Sequence, residues 1–387
     1  MHRCCYAVIL SIVMPLVGCS TPDASSVSDT PVETPFTAII KQNLRPDPDH
    51  AKNYATSDAF DRHISYLGYL AFSDSVLLGS PSRFMAGDDG RFLLLDARGR
   101  EVHVFEATGN HVATLDGRGC DPGLTWSPHN ATILSDGRFI VLNVSTGGLV
   151  LFDADGSCAR VLETGEFGVD GLAPTDDGAY ILFKSDGDTW TVTEHEPVNG
   201  ASTTLHTDSS FAHLLYRFKT LSYTVNGPDN SVLVNIPFIG SPLVIERDGS
   251  DPYPLMEKPS FFRQADNDVP DTRGMDIDEI MDLFDSRSKM YSLTQQIFRF
   301  SSNTTLLYYG NSYVDGTDVQ SHALLVVDDE GHLVTPEPIF FSRGDESNYS
   351  GFSPRFAKDH LLFSYRPSQP DSTGEWMNPG LDVWQFH

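Results

Sequence analysis

A polar turn followed by an apolar run of about five residues returns along the chain. The clearest copies are Asp89-Gly90-Arg91 before Phe92 to Leu95, Asp136-Gly137-Arg138 before Phe139 to Leu142, and Asp177-Gly178-Ala179 before Tyr180 to Phe183. Looser copies begin at Asp229-Asn230, Ser302-Asn303 and Asp359-His360. Successive turns lie 47, 41, 52, 73 and 56 residues apart. A second element recurs one hairpin later: an apolar residue, an acid, two variable residues, then glycine. Its copies are Phe105 to Gly109, Phe152 to Gly156, Ile245 to Gly249 and Val327 to Gly331, with an expanded third copy from Glu194 to Gly200. The closing glycine supplies the positive φ that a short hairpin loop needs.

The runs after the first turn are apolar at nearly every position, as expected of strands covered on both faces. The neighbouring runs, Val102 to Phe105 and Val112 to Leu115, alternate more and suit outer, half-exposed strands. Four strands in roughly 40–55 residues is the size of a propeller blade. Six copies predict an all-β, six-bladed β-propeller over residues 60–387, against the alternative of a β-sandwich. The run Ile64 to Leu70 precedes the first full repeat and is expected to add a strand to the last blade, closing the ring and hiding sheet edges. The long interval predicts a short helical insertion between blades 4 and 5. There Ile277, Ile280, Met281 and Phe284 share one face, acids fill the first turn and Asp276 stands as N-cap. Packing against the propeller wall and a lid over the channel are both open for this helix.

The N-terminus reads as an address. Arg3 and the apolar stretch Cys4 to Val17 make a signal peptide over residues 1–18, too short to span a bilayer. Leu16-Val17-Gly18-Cys19 resembles the bacterial lipobox, which makes Cys19 the expected lipid-attachment residue and the membrane a partner through that anchor. Residues 19–59 open with a Ser/Thr/Pro/Asp-rich stretch and read as a flexible tether. Composition adds one exclusion. With 26 Lys+Arg against 53 Asp+Glu the formal charge is −27, a sign that phosphate backbones repel, so nucleic acid is not an expected partner.

Residues Asp74 to Gly79, the segment Gly87 to Gly119 and then Cys120-Asp121-Pro122-Gly123 resemble six-bladed β-propeller lipoproteins of Bacteroides-like bacteria, relatives of NHL-repeat propellers. Gly117, Gly119, Pro122 and Gly123 match that family's Gly-rich connector after the first blade; Leu124 stands where the family has Glu. The resemblance is continuous from about Ser75 to Asp188 and elsewhere rests on spacing. It implies the fold and an envelope location, outer membrane or cell envelope after export, but no one activity.

In a propeller the strand 4-to-1 and 2-to-3 connections share one face, and the 1-to-2 and 3-to-4 turns share the other. Every long insertion here falls in the first set, so the long-loop face is expected to carry the site. Its candidate ligand-binding residues are Trp126, Tyr313 and Trp376, which could stack on sugar rings or anchor a peptide, or simply hold loops. Arg299 and Arg355 share a register before their turns and could bind a carboxylate or sulfate at the channel mouth, or pair with loop carbonyls and Asp. Arg83-Phe84 is similar but shifted. Cys120 falls in a 4-to-1 connection and Cys158 after a 3-to-4 turn on the opposite face, about 17 Å away for a five-residue strand, so they are expected not to pair. No GxSxG, HExxH, P-loop or CxxC motif is present. No catalytic residue, cofactor or metal ligand is nominated. The expected function is a non-catalytic envelope lipoprotein binding a glycan, peptide or partner protein through the long-loop face. The alternative is a hydrolase or lyase with Ca²⁺ or another divalent ion at the central channel. Three or more converging His, Asp or Glu side chains would favour the enzyme; arginines, aromatics and aliphatics would favour binding.

Overall fold

Each repeat becomes one four-stranded antiparallel sheet. The computed structural model describes residues 34–47, 58–79, 81–87, 89–162, 169–212, 215, 224–265, 274–288, 291–313, 320–341, 352–368, 370, 374 and 376–387. Blade 1 contains β2 (Pro81–Ala86), β3 (Arg91–Asp96), β4 (Glu101–Glu106) and β5 (His111–Leu115), from channel to rim. Blade 2 contains β6 (Pro128–Ile133), β7 (Phe139–Asn143), β8 (Gly148–Phe152) and β9 (Cys158–Leu162). Blade 3 contains β10 (Val169–Pro174), β11 (Tyr180–Ser185), β12 (Trp190–His195) and β13 (Ser202–Asp208). Blade 4 contains β14 (Thr224–Asn226), β15 (Val232–Val234), β16 (Leu243–Ile245) and β17 (Tyr253–Pro254). Blade 5 contains β18 (Leu293–Ser301), β19 (Thr304–Tyr313), β20 (Gln320–Asp328) and β21 (Ile339–Phe341). Blade 6 contains β22 (Pro354–Lys358), β23 (Leu361–Arg366) and β24 (Gly380–Phe386), and its outermost strand is β1 (Ile64–Ala71) from the other end of the chain. The innermost strands contact one another in chain order, and β22 contacts β2, so the ring is closed.

The recurring turns are one structure, used at both turn positions in blades 1 and 2 and at one in blades 3 and 5. Gly87 N–H donates to Arg91 O and Gly90 N–H to Gly87 O; Leu134 with Arg138 and Gly137, and Thr175 with Ala179 and Gly178, repeat the pattern. Gly90, Gly137 and Gly178 have φ of 81°, 84° and 87°, the left-handed region where a Cβ would be strained. The 3-to-4 turns closing on Gly109, Gly156 and Gly331 make the same pair of hydrogen bonds.

There is no single core. Six apolar clusters form, one at each blade–blade interface, and each second strand feeds two of them. In β3, Phe92 and Leu94 face blade 6 while Leu93 and Leu95 face blade 2. In β7, Phe139 and Val141 face blade 1 while Ile140 and Leu142 face blade 3. The period-2 pleat thus sends alternate apolar residues into different cores, which is why these runs carry no polar alternation. The outer strands β9 and β13 have largely exposed or half-buried patterns. Truncating a fully buried residue such as Phe139 would cost about 3–5 kcal/mol.

Closure is reinforced by a buried charge. β1 pairs with β24 from Ile64↔Phe386 to Ala71↔Gly380. Arg366 on β23 is 6% exposed and binds Asp382 on β24, which is fully buried, at 3.1 Å. Its other nitrogen meets Asp47 at 2.5 Å, and its guanidinium lies 3.9 Å over the Tyr69 ring. Tyr66 donates to Asp382 at 3.1 Å. Burial and the Asp382 charge raise the Tyr66 hydroxyl pKa, keeping it a proton donor. Removing one partner of a buried pair strands the other charge, a cost of about 3–5 kcal/mol.

Helix α1 (Pro35–Asn43) is capped by Thr34, whose Oγ1 accepts from Thr37 N–H. It buries Phe36 and Ile40 between blades 6 and 1. Residues 34–47, expected within the tether, are therefore packed on the propeller; residues 1–33, including Cys19, lie outside the described residues. Helix α2 (Asp58–His63) buries Phe60 against Phe341, Phe352 and Trp384. Helix α3 (Ile277–Ser288) forms where the sequence places it. Glu279 N–H donates to Asp276 Oδ1 and Asp276 N–H to Glu279 Oε2, a reciprocal capping box. Ile280 is buried, and Leu283 packs on the core between blades 3 and 4.

Cys120 and Cys158 form a disulfide, Cα–Cα 5.3 Å, contrary to the sequence expectation. That expectation treated all strands as parallel to the axis. Sheet twist turns each strand roughly 20–25° from its neighbour, so the outermost strand is rotated about 60–75° from the innermost. β5 therefore runs along the rim into blade 2. A Cβ on Gly156, in the 3-to-4 turn of blade 2, would stand 2.7 Å from Ala113 Cβ of β5. The short helical turn Gly117–Gly119 then delivers Cys120 to the start of β9.

Two outcomes follow for stability. Cys158→Ser should lower unfolding free energy by about 4 kcal/mol for a closed loop of 38 residues, read by denaturant titration with and without reductant. His103 is fully buried beside His111, with Nδ1 3.0 Å from Thr114 Oγ1, and burial pushes its pKa down to about 4. The unfolded imidazole takes its proton near pH 6.5 and the folded one near 4, so its contribution is complete above 6.5 and falls as pH drops through that window. The loss is on the order of 2–3 kcal/mol and levels off below the folded value. His103→Leu should flatten that part of the pH–stability curve.

Candidate functional site

The six innermost strands are the open edges of their sheets, so their unpaired N–H and C=O groups face the axis and require water or a ligand. They enclose a cavity of about 790 Å³ to which every blade contributes. This falls within the usual range of small-molecule sites, about 300–1,000 Å³. Its lining runs from mid-strand to the 1-to-2 turns at Gly87, Asp176, Gly227, Asp229, Ser302 and Asp359. The cavity therefore runs along the inner strands and reaches the short-turn face. The reason is architectural: the channel belongs to strand edges, and long insertions decorate the other end without forming it.

Five of the six inner strands carry a β-bulge near their long-loop ends. The register shifts between Pro81 and Arg83, Pro128 and Asn130, Val169 and Gly171, Thr294 and Gln296, and Pro354 and Phe356. A bulge re-aims the residues beside it. The residues at or just past the bulges that line the cavity are Ser82, Arg83, Asn130, Gln296, Arg355 and Phe356.

The nominated residues separate. Arg299 lines the cavity next to the turn, opposite Thr305 in the register. Its guanidinium is held by both oxygens of Asp329, at 2.6 and 3.0 Å, and by the Ser302 carbonyl. Arg355 lines the cavity at the bulge of β22, deeper along its strand. The two share sequence spacing but not depth, because blade 6 turns on Asp359 and His360 alone, both at positive φ, whereas β18 has a second bulge before Ser301. Arg83, which looked shifted in sequence, is the arginine nearest Arg355 in depth, on the adjacent blade. Trp126 is 6% exposed and packs at 6.1 Å on Phe152 in the core between blades 1 and 2, so it is a wall and not a stacking platform. Tyr313 ends β19 opposite Gln320 at the long-loop face; its side chain lies outside the described residues. Trp376 is 71% exposed on the β23–β24 loop and away from the cavity lining.

Sequence reading missed Thr224 and Gln296. Thr224 opens β14 and is 5% exposed; its Oγ1 has no hydrogen-bond partner. Gln296 Oε1 is also buried without one. Both residues line the cavity. No motif marks them; only their place on inner strands does. An unmatched buried polar atom costs about 1–3 kcal/mol.

Several acids at the turn end already have partners. Asp176 accepts from Asn226 at 3.0 Å, Asp329 from Arg299, and Asp359 from the Thr34 hydroxyl at 2.9 Å. Among the described residues, the group of metal-ligating side chains within reach of one ion is Asp328, Glu330 and His332, on the 3-to-4 hairpin of blade 5. None of the three lines the cavity.

No protein-family model and no curated protein sequence matches the chain. Solved structures do resemble it. A member of the DUF4221 family from Bacteroides vulgatus aligns with TM-score 0.52 at 9% identity, over 84% of this chain and 98% of that one. A Bacteroides fragilis protein described as exported aligns with TM-score 0.52 at 12% identity, over 86% and 98%. A catalytically inactive virginiamycin B lyase from Staphylococcus aureus aligns at 0.48 and 8% identity, over 83% and 99%. At these identities the likeness is one of fold: the chain is a six-bladed β-propeller of the architecture found in those Bacteroides proteins.

Thr224→Val keeps the shape and removes the unmatched hydroxyl. It should leave the free protein as stable as before or raise its unfolding free energy by up to about 1 kcal/mol, read by denaturant titration.

Proposed function

We propose that this protein is an exported, lipid-anchored propeller that binds a small polar ligand in its central channel without transforming it. The supporting observation is the cavity itself, about 790 Å³, with a wall of arginines, amides, hydroxyls and phenylalanines drawn from six blades. No cluster of three His, Asp or Glu donors among the described residues lies in that lining. The ligand classes expected from sequence are a glycan, a peptide or a partner protein on the long-loop face; we seat the ligand in the channel instead.

Export and anchoring are supported by the signal-like segment, the lipobox-like sequence before Cys19 and the disulfide, which suits an oxidising compartment. No helix of the described residues is long and apolar enough to cross a membrane, so an acyl chain on Cys19 would supply the attachment.

The test is a plug. Ala86 lines the cavity on β2. Ala86→Phe should abolish the ligand-induced rise in melting temperature seen across a panel of short peptides and oligosaccharides, while leaving the unliganded melting temperature within a few degrees. An undiminished response in the plugged variant would move the site elsewhere. In cells, Cys19→Ser should end incorporation of labelled fatty acid.

A further inference from the structure

One corner of the long-loop face, at the seam where the ring closes, is built from three connections. The loop from β1 to β2 is held between the β3–β4 turn of blade 1 and the β23–β24 loop of blade 6. Two side chains lock it there. Asn378 accepts from Leu78 N–H at 3.3 Å and donates to the Ser73 and Val76 carbonyls at 3.0 and 2.6 Å. The buried Asp96 accepts from Gly79 N–H on one oxygen and from Arg98 and Gly99 N–H on the other. Leu78 enters the core between blades 6 and 1. Its neighbour Leu77 is 87% exposed, and Trp376 is 71% exposed. These two apolar side chains therefore project from a pinned backbone and not from a slack loop. The same corner carries Arg98 and Arg100, both exposed. A Cβ on Gly79 would stand 3.2 Å from Arg98 Cβ, so the stem of that arginine lies on the loop. Among the described residues neither guanidinium has an ion pair or a hydrogen bond. Asp74 is exposed on the same loop, while Glu101 Oε2 lies 3.4 Å from His103 Nε2.

We propose that this corner docks on the surface of a phospholipid bilayer, with Leu77 and Trp376 entering the boundary between headgroups and acyl chains and Arg98 and Arg100 on the lipid phosphates. The inference goes beyond the channel reading and draws on the anchor only for proximity. Tryptophan favours that boundary, where one end of the ring is apolar and its N–H meets water. Protruding side chains on a rigid mount suit a fluid phase, which closes around them without a shaped pocket. Unpaired guanidiniums suit phosphate oxygens. The formal charge of −27 keeps most of the protein's surface away from phosphates, so the two arginines also select which way the domain faces. Two apolar side chains bury too little to hold a free protein on lipid. The 15 residues from Cys19 to Thr34 reach at most about 50 Å, so an acylated chain keeps the corner at a high local concentration of bilayer.

The experiment uses the mature chain from residue 19 in two forms, acylated on Cys19 and carrying Cys19→Ser, with phosphatidylcholine vesicles whose acyl chains are or are not brominated. Trp126, Trp190 and Trp384 are buried, so contact quenching by the bromines reads Trp376. Brominated vesicles should quench both forms, the Cys19→Ser form needing at least about tenfold more lipid. Trp376→Phe should remove the quenching and leave the melting temperature within a few degrees. In the Cys19→Ser form, Leu77→Asp should weaken vesicle cosedimentation by about tenfold or more. Arg98→Gln and Arg100→Gln should each weaken it about fivefold. Quenching of the Cys19→Ser form supports docking whether or not Cys19 is acylated in cells. Acylated protein attached to vesicles without quenching would overturn the proposal. So would quenching that Leu77→Asp and the paired arginine substitutions leave unchanged, since the anchor alone would then explain it. Self-association in the absence of lipid, lost in Trp376→Phe, would make the corner a contact between proteins and overturn the bilayer as its occupant.

Discussion

The structure depends on one constraint: a blade is stable only between two neighbours. Each second strand directs alternate apolar residues into two different interfaces, so a blade at an open end would expose half of its core. A ring removes the open ends, and this chain completes it by pairing β1 with β24. The two ends of the propeller domain therefore meet in one sheet. The charged cluster of Arg366, Asp382 and Asp47 sits where that sheet is assembled, drawing one group each from β23, β24 and the segment before β1. Its buried ions are tolerable only when all three parts are present, which couples the register of closure to the burial of charge.

The same constraint creates the channel. Closing the ring covers the faces of the sheets but not their innermost edges, so backbone polarity is gathered around the axis. The protein lines this space with polar and charged side chains from every blade. Thr224 and Gln296 leave polar atoms unmatched, and the arginines of blades 1 and 6 lie across the ring from acids on blades 3 and 4.

The disulfide shows how twist alters inference from topology. Counting strands places Cys120 and Cys158 at opposite faces. Three steps of twist lay β5 along the rim, and the two thiols meet across the blade 1–blade 2 seam. The same geometry demotes Trp126, which loop position made a candidate contact, to a residue of the interblade core.

What the sequence determined by itself was everything carried by short-range periodicity. Turns closed by glycine at positive φ, apolar runs without alternation and their spacing specify strands, blades and ring, because each of these is a local consequence of backbone sterics and two-sided burial. The helix at Ile277–Ser288 was legible for the same reason, through its cap and its apolar spacing. The channel's chemistry was only partly legible. Arg299 and Arg355 were visible as a repeated pair, yet a bulge and a shortened turn set them at different depths, and Arg83 took the place beside Arg355. Thr224 and Gln296 carry no motif at all. Which residues share a level around the axis depends on bulges, twist and closure, and these are settled only when six sheets pack against one another.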